Sequence, residues 1–363
     1  MTSLARATGW VVGGLLGAAT ATAAAVTTAH HRRIAKLRQL AAELHDDPMG
    51  ELPADREYTV AADDGVLLSV EEIDPLDGGA PELTVILVHG YTLDRRCWHF
   101  QRLGLALATS PRVRQVLYDH RSHGRSGRSH RGACTLEQLG RDLDAVIRMA
   151  APEGRMVLVG HSMGGMAIMA LAEHNPALFA ERVAGVAFLN TSAGDFGRSG
   201  LPRPVLSRHN PVMIAAAWLA VRQPAAVERC RDLGAHLIWS LIRKLSFGDE
   251  SVDPAIVELM NTMMRGTSLQ VMTEFLPTLS AHNRYAALNG LQFVKALVLG
   301  SDADRLVQFA HCEAIAALLP DAELVQVANS GHMTMLEQPE LVNECLLDLL
   351  ARCEGRTDRF QHQ

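Results

Sequence analysis

The sequence predicts a doubly wound α/β domain built on a mostly parallel sheet of about eight strands, with a helical cap inserted late in the chain. Three observations carry that expectation. Short apolar runs alternate with helical patterns along most of the chain, the pattern of successive βα units. A Gly-x-Ser-x-Gly turn, Gly160-His161-Ser162-Met163-Gly164, joins one such run directly to a helical segment. About 100 residues separate Leu189 from Val294, far more than one crossover helix needs.

The 363 residues are 48% hydrophobic and 20% charged, enough apolar material for a sizeable core and unlike a disordered chain. The formal net charge of −6 provides no basic field, so nucleic acid is not an expected partner. Six cysteines (Cys97, Cys134, Cys230, Cys312, Cys345 and Cys353) are scattered with no C-x-x-C pair. That spacing argues against a disulfide framework or a zinc site and for thiols packed as small hydrophobes. No cofactor is called for.

Gly9–Ala29 is a run of 21 residues without a charge, about the length that spans a bilayer. Arg6 precedes it, and Arg32, Arg33, Lys36 and Arg38 follow. Read as an anchor, this bias places the rest of the chain in the cytoplasm. A cleaved signal peptide, with secretion, or a helix packed on the protein are the alternatives. Residues 1–55 are therefore expected to be a hydrophobic segment and linker, with Pro48, Gly50 and Pro53 marking the linker.

Next, Arg56–Ala61 and Val66–Ile73 flank Asp63-Asp64-Gly65, a hairpin signal. Leu83–His89, Val113–Tyr118, Met156–Val159, Val183–Leu189, Val294–Leu299 and Glu323–Val327 read as strands, several apolar throughout as in a sheet buried on both faces. Leu136–Ala150 and Phe309–Leu319 read as helices between them. The core is expected over 56–190 and 291–353, the cap over 191–290 and a tail over 354–363. Within the cap, helical patterns lie near Val212–Arg222, Ala225–Leu245, Pro254–Arg265 and Leu269–Ser280. Its methionines, among them Met260 and Met264, either fill the cap's own core or line an adaptable apolar pocket.

The chemistry is expected where parallel strands end. A tight strand-to-helix turn exposes Ser162 as a nucleophile. His332, in Gly331-His332 after the last strand, can take its proton and return it to a leaving group. The turn after the penultimate strand offers Asp302 and Asp304. One should hold the imidazole and the other cap the turn, and Asp304 is preferred because it lies further from the strand. The backbone N–H groups of Met163 and Tyr91 are the expected oxyanion donors, with Gly90 letting the Tyr91 backbone approach. The Tyr91 side chain could reach substrate or pack on the cap.

Together, His89-Gly90-Tyr91, Tyr118 to Gly127, Gly160 to Gly165, Asp302 to Leu306 and Gly331-His332-Met333 resemble the α/β-hydrolase superfamily, in its capped bacterial branch with a serine nucleophile. The likeness covers about Glu57 to Leu350. It implies Ser162 as nucleophile, Asp304 as acid and His332 as base. Ser122 stands where the family's Asp-x-Arg-Gly-His-Gly turn usually has glycine, and that loop is structural in relatives rather than a metal site at His120 and His123. Ser301 and Gln308 also depart from the family's glycine and proline around the acid. A serine rather than an aspartate at the turn disfavours dehalogenase and epoxide hydrolase chemistry and favours acyl transfer. The expected activity is that of an esterase or lipase-like serine hydrolase on a neutral, apolar small-molecule ester. A peptidase, a carbon–carbon bond hydrolase, a cofactor-free haloperoxidase and a non-catalytic ligand receptor remain alternatives on the same fold.

Overall fold

The structure is a computed structural model that describes residues 49–130, 132–195, 243–249 and 251–354. Eight strands form one sheet in the order β1-β2-β4-β3-β5-β6-β7-β8. β1 (Arg56–Ala61) and β2 (Leu67–Ile73) pair antiparallel around the expected Asp63-Asp64-Gly65 turn, where Gly65 adopts φ +85°. β2 is antiparallel to β4 (Val113–Tyr118), and every further pairing is parallel. β3 (Leu83–Val88), β5 (Met156–His161) and β6 (Val183–Leu189) are buried at every residue, which is why these three read as unbroken apolar runs. β7 (Lys295–Ser301) and the edge strand β8 (Ala322–Val327) complete the sheet.

Alternate residues of the central strands β3 and β5 enter two different cores. Ile86, Val88 and Leu158 join the core beneath α2 (Leu136–Ala150) and α3 (Met163–His174). Val85, Leu87 and Val157 join the core beneath α1 (His99–Ala106) and the long C-terminal helix. The remaining helices are α4 (Pro176–Glu181), α5 (Pro254–Gly266), α6 (Leu269–Ser280), α7 (Ala310–Ala316), α8 (Thr334–Glu337) and α9 (Pro339–Glu354).

Inserted between β6 and β7 are α5 and α6. α5 starts where the Asp253 carboxylate accepts the Ala255 N–H at 2.8 Å and Pro254 occupies the first turn. α6 starts at Ser268, whose hydroxyl accepts from the Val271 N–H. The two helices dock on opposite cores. Val257, Leu259, Met260 and Met263 of α5 join the cluster holding Trp98, Phe247 and Met333, whereas Val271, Phe275 and Leu279 of α6 join the other. Met260 and Met263 are thus packing residues rather than an open lining. The insertion's ends are laced together by the bridge between Gly194 and Asn283 and by the Arg284 N–H on the Ala193 carbonyl, 2.6 Å away.

The helical patterns read at 212–222 and over 225–242 lie outside the described residues, as do Cys230, the 9–29 segment and most of the tail. Among the described residues, no helix is long and apolar enough to cross a membrane. Cys97, Cys134, Cys312, Cys345 and Cys353 are buried free thiols.

Candidate active site

Ser162 stands between β5 and α3 with φ +50° and ψ −118°, a left-handed backbone that a non-glycine residue adopts at a cost. The turn closes because Gly164 brings its Cα against β3: a Cβ there would lie 2.1 Å from the Val88 carbonyl oxygen. Two contacts with the end of β6 fix it. The Ser162 N–H donates to the Leu189 carbonyl at 3.0 Å, and the Thr191 hydroxyl donates to the Ser162 carbonyl at 2.6 Å.

β7 ends at Ser301, and its turn separates the two carboxylates. The N–H groups of Asp302 and Ala303 donate to the carbonyls of Val327 and Ser330, both at 3.1 Å, which leaves the Asp302 side chain exposed. Asp304 is carried inward to 5% exposure. Its Oδ1 accepts the N–H groups of Leu306 and Val307 at 2.8 and 2.9 Å. Its Oδ2 lies 2.8 Å from His332 Nδ1 and accepts from Asn190 Nδ2 at 3.0 Å. Burial pushes the Asp304 pKa up, but the His332 charge and the hydrogen bonds to His332, Val307 and Asn190 outweigh it and hold the carboxyl below its usual value.

His332 sits in the loop after β8. Glu337 Oε1 accepts the Gly331 N–H at 2.8 Å, and its Oε2 accepts the Gly248 N–H at 2.8 Å. The Met333 N–H donates to the Ser246 carbonyl at 3.1 Å. The histidine loop is therefore tied on both sides to the 243–249 segment of the insertion. His161, the residue before the serine, gives its Nε2–H to the His332 carbonyl at 2.9 Å, with ring centroids 4.8 Å apart. Burial takes the His161 pKa down to about 3, so it is neutral at physiological pH.

The loop after β3 borders the serine. A Cβ on Gly90 would lie 2.6 Å from His161 Nδ1 and 3.3 Å from Ser162 Cβ, so only glycine lets this backbone come so close. Among the described residues, no acceptor takes the N–H of Tyr91 or of Met163. The Tyr91 hydroxyl donates to the Met272 carbonyl of α6, and its ring lies near His123 and Phe275: the side chain packs on the insertion.

Beneath that loop His89, His120 and His123 spend their ring nitrogens on neighbouring groups. His89 Nδ1 pairs with the Gly90 carbonyl at 2.8 Å, and its Nε2 accepts the His120 N–H at 2.9 Å. His120 Nε2 meets the His89 carbonyl at 3.0 Å, and His123 Nε2 accepts the Thr92 N–H at 3.2 Å. Ser122 takes φ +64° where the family pattern has glycine.

The structure thus places Ser162 after β5, Asp304 after β7 and His332 after β8, at the same end of the sheet, pairs Asp304 with His332, sets the Gly90-Tyr91 backbone against the serine, and leaves Asp302 outside. Sequence reasoning missed Asn190, Thr191 and Glu337. The first two had a signal: polar residues that directly follow the fully apolar run of β6.

A family model described as the alpha/beta hydrolase family matches residues 85–344, and the chain belongs to that family. Its sequence is 26% identical over 278 residues to a dihydrolipoyllysine-residue acetyltransferase component of the acetoin cleaving system of Pseudomonas putida, covering 76% of this chain but only 65% of that relative. It is 25% identical over 240 residues to RutD of Azorhizobium caulinodans, named as a candidate carbamate hydrolase, covering 66% of this chain and 82% of that one. A thermophilic esterase from Thermogutta terrifontis shares the fold, with a TM-score of 0.65 at 23% identity over 82% of this chain and 99% of the esterase.

Proposed function

We propose that this protein is a serine hydrolase of the esterase type, acting on neutral, largely apolar acyl esters. In this reading Ser162 is the nucleophile, His332 the general base and acid, and Asp304 the carboxylate that orients it. The observation that carries it is the 2.8 Å contact of Asp304 Oδ2 with His332 Nδ1 at the strand ends beside the strained serine. With Nδ1–H given to Asp304, His332 Nε2 keeps its lone pair and accepts the Ser162 proton as Oγ bonds to the substrate carbonyl carbon. Charge gathers on the former carbonyl oxygen, and the N–H groups of Tyr91 and Met163 receive it. His332 then protonates the leaving alcohol as the ester bond breaks, and an acyl-Ser162 ester remains. Water, deprotonated by His332, attacks that ester, and the carboxylic acid leaves as Ser162 regains its proton. An esterase of the same fold and a relative named for carbamate hydrolysis support acyl transfer as the reaction class.

Fluorophosphonate labelling of the full chain tests this, followed by turnover of a p-nitrophenyl ester series with a p-nitrophenyl carbamate in parallel. Labelling should be lost in Ser162→Ala, and turnover should fall by on the order of a millionfold. Labelling retained in that variant would refute the assignment. We read the 9–29 run as a membrane anchor with the catalytic part on the cytoplasmic side. Sedimentation of the full chain with membranes, and protease protection in intact cells, would support it. A mature chain released into the medium and starting near Ala24–His30 would overturn it.

A further inference from the structure

Asn190 directly follows β6, and three observations set it apart. It is fully buried with φ +46°, a left-handed backbone unusual for a residue other than glycine. Its Nδ2 lies within hydrogen-bond reach of three oxygens: Ser301 Oγ at 2.9 Å, Asp304 Oδ2 at 3.0 Å and the Gly331 carbonyl at 3.3 Å. Its Oδ1 has no partner among the described residues. The three acceptors fix which way the amide points, since the reverse orientation would set its oxygen against a carboxylate and a carbonyl. An unpaired buried oxygen and a left-handed backbone are both costly, and such costs collect at functional sites.

We infer that Asn190 is a positioning residue of the hydrolytic site, one that sets the basicity of His332 by donating to the same Asp304 oxygen that the imidazole uses. The inference rests on the proposed roles of Asp304 and His332. Oδ2 divides its negative charge between the Asn190 N–H and the His332 Nδ1–H. A donor on Oδ2 lessens the pull of Asp304 on the imidazolium, and deleting that donor strengthens it. The same amide reaches the Gly331 carbonyl, one residue before the base, so it links the acid turn to the histidine loop. The next residue, Thr191, holds the Ser162 carbonyl, so the end of β6 touches all three arms of the site.

Other ionisable groups face this pair. His161 comes from the end of β5 and stays neutral, with its pKa pushed down to about 3. Cys312 comes from α7, and burial pushes its thiol up to about 12. Glu337 of α8 reaches the loop through the Gly331 N–H, and burial raises its pKa. All three are present in the parent and in an Asn190 variant, so they drop out of the comparison between the two.

The test compares the parent with Asn190→Gly, a substitution that suits the left-handed backbone while deleting the amide. The readout is kcat/KM for p-nitrophenyl butyrate across roughly pH 5 to pH 9. The acidic limb should move up by roughly half to one pH unit, and plateau kcat should change less than about tenfold. An even loss of kcat with an unmoved limb would overturn the inference and leave Asn190 as packing alone. If Asn190→Gly does not fold, side-chain NMR of the parent decides. The Asn190 NH2 protons should titrate with the midpoint of His332, and signals indifferent to that midpoint would overturn it. A parent without Ser162-dependent turnover would refute the proposed function instead, and the NMR measurement does not depend on turnover.

Discussion

His332 Nδ1 lies 2.8 Å from Asp304 Oδ2, while Asp302, two residues closer to the strand, points away to solvent. The backbone makes the choice. Once the N–H groups of Asp302 and Ala303 are paired with Val327 and Ser330, the turn can deliver only Asp304 inward. Asp304→Asn should therefore cost roughly four decades of turnover, because the amide favours the wrong histidine tautomer. Asp302→Asn should cost less than about tenfold, since exposed substitutions are usually mild. Steady-state rates on one p-nitrophenyl ester check both, and the opposite ranking would move the acid to Asp302.

Gly90 and Tyr91 separate backbone from side-chain roles in the loop proposed to hold the oxyanion. Gly90→Ala drives a methyl group toward His161 Nδ1 and Ser162 Cβ, at 2.6 and 3.3 Å, so the loop must retreat and carry the Tyr91 N–H with it. Loss of one such donor costs on the order of a hundredfold to a thousandfold in kcat. Tyr91→Phe removes only the hydroxyl held by the Met272 carbonyl. That change should lower stability by about 1 kcal/mol and leave kcat within roughly tenfold. A large kcat loss in Tyr91→Phe with Gly90→Ala near normal would mean that the phenol, not the backbone, meets the substrate.

Acid should unfold this protein early. Burial lowers the pKa of His89 and His282 to about 4 and of His123 and His161 to about 3. An unfolded histidine titrates near 6.5, so below that pH the unfolded chain binds more protons and stability falls. Each histidine contributes roughly 1.4 kcal/mol per pH unit once well below its unfolded value, or about 5.6 kcal/mol per pH unit for the four. Asp304, held below its usual value, adds its loss only at still lower pH. Asp119, Asp142 and Glu337, which burial raises, act in the opposite direction and reduce the slope. Thermal unfolding at pH 7, 6 and 5 should show a falling Tm that steepens toward the lowest value. A flat Tm over this range would mean that these imidazoles gain compensating partners when charged.

The sheet was legible in the sequence because β3, β5 and β6 are buried on both faces and so leave unbroken apolar runs. The placement of Ser162 and His332 beyond strand ends was legible because a strand-to-helix turn and a Gly-His loop are local patterns. What escaped is set by contacts between distant segments. Asn190 meets Asp304 across 114 positions, and Glu337 reaches Gly248 across 89. No local pattern encodes such a meeting. Whether Met260 and Met264 pack or line a pocket stayed open in the sequence for a related reason: periodicity marks the apolar face of a helix but not what lies opposite it.

That last ambiguity yields a test of where acyl specificity resides. Met260 is 5% exposed and belongs to the core shared with Leu93, Trp98, Phe247 and Met333, whereas Met264, one turn further along α5, is half-buried. Truncating a packed methionine leaves a cavity, so Met260→Ala should cost about 2–5 kcal/mol. Because α5 packs on the Arg95–Trp98 turn, the damage should weaken docking of the whole insertion and lower activity on all esters alike. Met264→Ser removes apolar surface without opening a core cavity. If it borders the acyl group, each methylene it no longer shelters is worth about 0.8 kcal/mol, so two methylenes amount to roughly one decade of kcat/KM. The expected pattern is a lowered Tm with unchanged chain-length preference in Met260→Ala, and a near-normal Tm with a shift toward short esters in Met264→Ser. Melting curves and a p-nitrophenyl series from acetate to octanoate read both at once. A preference shift in Met260→Ala without loss of Tm would return Met260 to the substrate pocket.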